Sequence, residues 1–559
     1  MRLQTRHTDR QAREHSPITL AFMTATLARP PVHDEEFGPA WRERLQPAVP
    51  GHGGWGATAL VTLLGGLLRF LRLDLPATTY AAGSNIPVGP GKIFDEVYYA
   101  CDAQNLLRYG VEHATFSYTG TDPALVRKAA SCVVEPGSGG AFIVHPPLGK
   151  WLIAGGEQLF GINTLGWRFS AAVFGTLTIL LVVRIGRRMT GSTLLGALAG
   201  TLLSLDGLHF VQSRTSMLDI FLCFWIVAAF GCLVVDRDKV RKQLSRASDA
   251  DIGRGGGWLL SRPWLALCGV CLGAAIATKW SGIYVLPVLL LLAVAWEAGA
   301  RRTAGVRLPV VRTLVRTTGP LLAALVLLPA AVYVASWAGW FVTDIGYDRH
   351  WADANASTVP LMPDVLRSWW HYHAEIYHFH DTLTTRHPYQ SHPASWLVLG
   401  RPVNYYYPSP LGVGRYGCRV TSCVREVLAI GTPALWWAIV PAVLGLVAMW
   451  VSRRDWRASS LTLMLLAGIA PWEPSDLKHR TMFLFYALPS IPFLCLGLAL
   501  LAGWALGRAG TTRRTVASAA VGVYVSVVLL NFAYLYPVLA AVTIPYQDWL
   551  DRMWFHSWI

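Results

Sequence analysis

IGTPALWWAIVPAVLGLVAMWV (430–451) runs directly into SRRDWR (452–457). The first segment carries no charge and, as a helix, would cross the roughly 30 Å hydrocarbon layer of a bilayer. The second places Arg453, Arg454 and Arg457 just beyond it. An apolar run closed by a basic turn is how a membrane helix meets the cytoplasm. Similar stretches lie at 55–73, 167–185, 191–208, 215–235, 264–279, 282–298, 318–340, 459–472, 481–505 and 515–538, making eleven in all. The 459–472 stretch is the shortest and ends in Pro471-Trp472-Glu473-Pro474.

Composition agrees. Of 559 residues, 14% are charged and 53% hydrophobic, with 24 Trp. A soluble chain carries about 25% charged residues, so a set of soluble domains is excluded. The aromatic content excludes a disordered chain. Lys and Arg (48) exceed Asp and Glu (33), for a net charge of +15. The excess lies in short turns: Arg184, Arg187 and Arg188; 237–262; 301–316; 453–457; and 508–514. These turns are expected inside, with the N-terminus, and eleven spans then put the C-terminus outside. Cations so placed set topology, and nucleic acid is not an expected partner. The chain reads as an all-α polytopic membrane protein. Residues 1–54 are an expected disordered cytoplasmic tail. Residues 55–540 form the multi-span domain, with large outer loops at 74–166 and 341–429, and 541–559 form an outer C-terminal tail.

Of nine Cys, Cys223, Cys232, Cys268, Cys271 and Cys495 fall in spans. The other four fall in the outer loops, an oxidising setting. Cys418 and Cys423 are a candidate disulfide; whether Cys101 and Cys132 pair is left open.

Polar residues collect at the outer ends of the spans. KIFDEVYYACDAQNLL (92–107) puts Asp95 and Glu96 at a helix start, where the helix dipole favours acids. VHPPLGKWLIAGGEQLFG (144–161) reads as an interfacial helix with Lys150 near its start. Arg168, Arg214, Lys279, Lys478 and Arg480 bring cations to four separate hairpins, beside Asp206, His209 and Asp219. Charge beside a span is costly and by default functional. Several cations in a partly desolvated groove suit a phosphate. WWHYHAEIYHFH (369–380) carries His371, His373, His378 and His380, but HxH is not a helical ligand spacing and no familiar carboxylate or Cys set completes it, so no metal is expected. The aromatic, His- and Pro-rich loop suits a membrane surface with stacking faces for a sugar. No GxGxxG, Walker-type or HExxH pattern occurs, and ATP or a redox cofactor is not expected.

FDE (94–96), VHPPLGK (144–150), GWRFSAA (166–172), ATKWSG (277–282), HPYQSHPASW (387–396), RPV (401–403) and RTMFLFYA (480–487) occur in this order. Together they resemble the protein O-mannosyltransferases, polytopic glycosyltransferases of the C-type architecture. GCRVTSCV (417–424) and GTPALWW (431–437) look most like the actinobacterial branch. The 341–429 loop is too short for the β-trefoil domain of the eukaryotic members, so that domain's acceptor handling is not carried over.

The resemblance implies a polyprenyl-phosphate-linked mannose donor and Ser/Thr hydroxyls of exported proteins as acceptors, with inversion, at the outer face of the plasma membrane. It implies a membrane-lipid setting and, by analogy, coupling to the secretion channel. No metal or cofactor is required, although a divalent metal is not excluded. A hydroxyl nucleophile benefits from a base, and Asp95 is the candidate, with Glu96 orienting substrate or tuning it. A phosphate leaving group gains charge as the bond breaks, so cations there stabilise the transition state. Arg168, Lys279, Arg480 and Arg214 are the candidates. His145, Trp280, His378, His380 and Arg401 are weaker candidates for the sugar or acceptor. One alternative is a related lipid-phosphate-sugar transferase acting on glycolipid or cell-wall glycan. A transporter is less favoured, because no internal repeat is visible.

Overall fold

The computed structural model describes residues 40–46, 53–80, 87–118, 122–256, 261–355, 361–408, 410–507 and 510–559. All eleven apolar stretches are helical. Among the described residues, seven helices are long and apolar enough to cross a membrane: Thr164–Thr190, Leu218–Ser245, Trp280–Thr303, Pro309–Ser336, Pro433–Arg453, Leu484–Leu506 and Thr512–Leu539. Trp55–Phe70, Thr193–Ser204 and Pro263–Thr278 are shorter apolar helices. The 459–472 stretch is shorter still as a helix, Trp456–Ala467. After it, Pro471 and Pro474 leave only single turns at Ala470–Trp472 and Glu473–Leu477. The fold is therefore an all-α polytopic membrane protein.

Short polar side chains start several of the helices. Asn163 accepts from the Gly166 amide, Ser192 from Leu195 and Asp455 from Arg457, each satisfying an otherwise orphaned N–H. Leu484–Leu506 is central, with 83% of its apolar window buried, whereas Thr512–Leu539 is peripheral at 11%. Val516, Val523, Val527 and Leu530 accordingly point outward, as expected of side chains facing lipid. Leu218–Ser245 is the other central helix and packs against Pro263–Thr278. On the far side of Pro263–Thr278, Gly269 lets the Ala324 carbonyl approach so closely that a Cβ would lie 1.7 Å from it.

The basic turns also form buried ion pairs. Arg262 bridges Asp236 (2.5 Å) and Glu297 (2.9 Å), and Arg301 also reaches Glu297 (2.9 Å). Removing charges from solvent is costly, and this network offsets the cost by mutual pairing. Most of the 1–54 segment lies outside the described residues. Within it, Ala40–Leu45 is a helix, not disordered tail: Leu45 is buried against Val240, Leu244 and Ala300.

The first large loop holds strands Thr78–Tyr80 and Pro87–Pro90, paired antiparallel, and helices Glu96–Tyr109, Pro123–Ala130 and Leu148–Phe160. A Cys101–Cys132 disulfide joins the first helix to the end of the second. Leu148–Phe160 packs on Glu96–Tyr109 and Thr164–Thr190. Its Lys150 is buried in a salt bridge to Glu112 (2.7 Å), with Asp102 at 3.4 Å. The second loop holds the Asp364–Thr382 helix, paired strands Val403–Tyr406 and Val427–Ala429, and a Cys418–Cys423 disulfide. Residues 541–559, read as a tail, are packed onto the second loop. Ile544–Pro545 pairs with Cys423–Val424, and Trp549 and Trp558 are buried.

Gly269→Leu should force Pro263–Thr278 away from the Ala324 segment, at a cost of about 1–3 kcal/mol. Thermal inactivation of the detergent-solubilised protein should shift downward, while Gly522→Ala, at a position open to a Cβ, should leave it unchanged.

Candidate active site

Asp95 and Glu96 are adjacent and have opposite surroundings. Phe94, before them, has a positive φ of 48°, a conformation that costs a non-glycine residue about 1–3 kcal/mol. Its ring stacks on Tyr405 at 4.5 Å and meets Phe483 and Phe485 edge-on. That aromatic packing offsets the strain and fixes the entry into Glu96–Tyr109.

Glu96 turns inward and is fully buried. Arg168 grips it with both arms of its fork, Nε to Oε1 at 2.8 Å and Nη2 to Oε2 at 2.7 Å. The backbone amides of Ile93 (3.0 Å) and Ser216 (2.9 Å) also donate to it. The remaining Arg168 donors go to the carbonyls of Leu75 (2.8 Å), Gly91 (2.6 Å) and Leu73 (3.3 Å). Arg168 is 0% exposed, so its guanidinium has no donor left for a lipid phosphate. The sequence expectation is corrected here: this arginine positions the Asp95 loop.

Arg214 is corrected for a similar reason. Its guanidinium donates to the carbonyls of Arg69 (2.8 Å), Leu71 (2.6 Å) and Arg72 (2.7 Å). It closes the C-terminal end of Trp55–Phe70, where orphaned carbonyls favour a cation. Arg401 also lies away from the site. It ties the carbonyls of Pro388 (3.0 Å), Ser557 and Ile559 (2.8 Å) together. His378 is exposed on the helix face away from the cavity described next.

The other predicted residues converge. A cavity of about 660 Å³ is lined by His145, Lys279, Trp280, His380, Lys478 and Arg480, together with Ile276, Ile283, Tyr284, Tyr333, Trp472 and Tyr486. It opens at the end of the bundle opposite the basic turns, since Pro263–Thr278 runs from Arg262 to Lys279. Lys279 places its ammonium 2.9 Å and 3.1 Å from the two Asp219 oxygens and over the Tyr486 ring at 4.6 Å. Arg480 donates to the His380 carbonyl at 3.0 Å, and Lys478 pairs with Asp381 at the rim. The Trp280 indole donates to the Tyr333 hydroxyl (2.8 Å), which donates to His373 Nε2 (2.8 Å).

The imidazoles are not part of the positive charge. Burial holds His145 well below the usual histidine range, and Lys279, His380, Lys150 and Arg480 add to that effect. Burial likewise brings His380 down to about 4. His380 Nε2 lies 2.7 Å from the Val144 carbonyl, so its proton sits there and Nδ1 faces Arg480 as an acceptor at 3.3 Å. His145 stacks on His380 at 5.3 Å and leaves a buried Nδ1 without a partner. Two neutral rings suit hydroxyl groups better than phosphate.

A family profile described as dolichyl-phosphate-mannose-protein mannosyltransferase matches residues 137–341. A second, the C-terminal four-transmembrane region of protein O-mannosyltransferase, matches 365–558. The polyprenol-phosphate-mannose–protein mannosyltransferase of Mycobacterium tuberculosis is 40% identical over 536 residues, 94% of each chain. The chain belongs to the protein O-mannosyltransferase family. The enzyme of the same name from Corynebacterium glutamicum is 34% identical, covering 86% of this chain and 91% of its own. The Saccharomyces cerevisiae Pmt1–Pmt2 protein O-mannosyltransferase complex bound to the sugar donor shares the fold. Its TM-score is 0.66 at 14% identity, covering 92% of this chain and 94% of that one.

Asp95 does not line the cavity itself, but it lies close enough to Lys279 and Asp219 to feel their charges and, unlike Glu96, forms no ion pair among the described residues. Burial pushes it up to about 6; Asp219 adds to the shift, while Lys279 and the Tyr99 hydroxyl oppose it. Asp219 was visible in the sequence only as one more acid at a helix end. Its pairing with Lys279 makes it part of the site. Tyr99 carried no sequence signal beyond its aromatic neighbourhood, and Tyr486 entered only as part of RTMFLFYA (480–487).

Arg168→Ala should leave Glu96 buried without its countercharge, a loss of about 3–5 kcal/mol. The yield of monodisperse protein should fall sharply. Full yield with selective loss of donor binding would return Arg168 to a phosphate role.

Proposed function

We propose that this enzyme transfers mannose from a polyprenyl-phosphate-linked mannose to Ser/Thr hydroxyls of exported proteins, with inversion, at the outer face of the membrane. One observation carries the reading. A single cavity combines an apolar wall (Ile276, Ile283, Tyr284, Trp472), the cations Lys279, Arg480 and Lys478, and neutral stacking rings (His145, Trp280, His380). These match the three parts of such a donor: isoprenoid chain, phosphate and sugar. The names of the mycobacterial and corynebacterial relatives support the same donor and a protein acceptor.

Asp95 then accepts the proton of the acceptor hydroxyl. A base works best with a pKa near the working pH, and burial brings Asp95 toward it. The oxygen attacks the anomeric carbon as the bond to the lipid phosphate breaks, through an oxocarbenium-like transition state. The leaving phosphate gains charge beside Lys279 and Arg480, which stabilise it more than they stabilise the bound donor. Asp219 holds Lys279 in place and keeps its charge close to both ends of the reaction. The basic turns lie at the opposite end of the bundle, which supports placing the N-terminus in the cytoplasm and the cavity outside. Coupling to the secretion channel would suit an acceptor that is still unfolded. A glycolipid acceptor would use the same cavity; the relatives' names favour protein.

Asp95→Asn should lower mannosyl transfer to a Thr-rich peptide by at least about 10²-fold, with binding of polyprenyl-phosphate mannose retained. Near-normal transfer would remove the base assignment. For the unsubstituted enzyme, kcat/KM should fall as pH drops below about 6, because Asp95 must be ionised to take the proton, and it should level off above. Arg480→Gln should raise donor KM roughly ten- to hundredfold, the worth of one charge-assisted bond, with peptide KM little changed.

A further inference from the structure

The Asp364–Thr382 helix has two working faces. His373, Tyr377 and His380 line the donor cavity. His371 and Glu375, one turn apart, lie on the opposite face and meet Asp348 from the preceding turn. His371 Nε2 is 3.4 Å from Asp348 Oδ2 and 3.7 Å from Glu375 Oε1. The three potential ligand atoms all lie within 4.8 Å of one another. Trp351 stacks flat on the His371 ring at 4.0 Å with 8° between the planes, which fixes the direction of Nε2. Glu375 Oε2 is closed off from solvent without a hydrogen-bond partner, while the Tyr347 hydroxyl lies against the same carboxylate.

We propose that Asp348, His371 and Glu375 bind a first-row divalent cation, zinc or manganese, at a site separate from the donor cavity. Two ligand atoms at zinc bonding distance and tetrahedral angle are about 3.4 Å apart. The His371–Asp348 edge already has that length, and the His371–Glu375 edge needs only a small contraction. One imidazole and two carboxylates favour zinc or manganese over magnesium and calcium, which prefer all-oxygen sets. Three protein ligands leave room for water. The cation would neutralise two carboxylates and staple the 346–351 turn to the back of the helix whose front forms the donor cavity. Its role is structural and does not depend on the reaction assigned to that cavity.

The simpler competitor is a protonated His371 shared between two acids, and the experiment separates the two. The purified full-length protein in detergent is stripped with chelator, incubated with zinc or manganese chloride, desalted and assayed for bound metal and thermal stability. One equivalent of metal retained, with a rise in melting temperature, is expected. The isosteric variants Glu375→Gln and Asp348→Asn, and His371→Ala, should each lose that equivalent and the rise. Glu375→Gln preserves shape and keeps the test valid if His371→Ala does not fold. Equal metal content and equal metal-induced stabilisation in the unsubstituted protein and Glu375→Gln would overturn the proposal, as would no retention by the unsubstituted protein. Variants less stable with or without metal, and with no difference in metal content, would establish the ion pair instead.

Discussion

The buried fork between Arg168 and Glu96 organises the active end of the molecule. It draws together the start of Thr164–Thr190, the carbonyls of Leu73, Leu75 and Gly91 and the amide of Ser216, just before Leu218–Ser245. A fully buried charge pair is tolerable only when nearly every polar atom is satisfied, and here the backbone supplies what the two side chains do not. The consequence is a division of labour between neighbours in sequence. Glu96 is locked as a structural carboxylate. Asp95, one residue earlier, is held by the strained turn at Phe94 and left to work.

The cavity lined by Lys279 obtains its character from unequal treatment of similar groups. Lys279 and Arg480 line a partly apolar space, while His145 and His380 are kept neutral by burial and by those same cations. A lipid-linked sugar phosphate presents the same sequence of demands along its length. The Lys279–Asp219 pair links the cavity wall to Asp95, the proposed base. A change at either residue should therefore be felt at Asp95.

Several expectations failed for one reason. Arg168, Arg214, Lys279 and Arg480 look alike in the sequence, each a cation at the outer end of an apolar run. What separates them is the partner. Arg168 meets a carboxylate seventy-two positions away, and Arg214 meets the end of a helix formed far earlier in the chain. Neither partner leaves a local mark. Arg401 was misleading in the same way, because its partners are the carbonyls of Ser557 and Ile559. The packing of the C-terminal segment left no mark in the sequence because burial of Trp549 and Trp558 depends on surfaces built by residues more than a hundred positions earlier.

The amino-acid sequence by itself determined what depends on local composition and period. The eleven apolar helices, the basic turns, the two large loops, the helix start at Asp95 and Glu96 and the order of the family motifs were all legible there. These features are short-range, or follow from the cost of burying polar groups in hydrocarbon. Only the tertiary structure decided which acid is free, which cations face the cavity, and which histidines line it rather than meet Asp348. Those outcomes depend on long-range pairing and burial, and a charge acquires its role only when its partner and its distance from water are set.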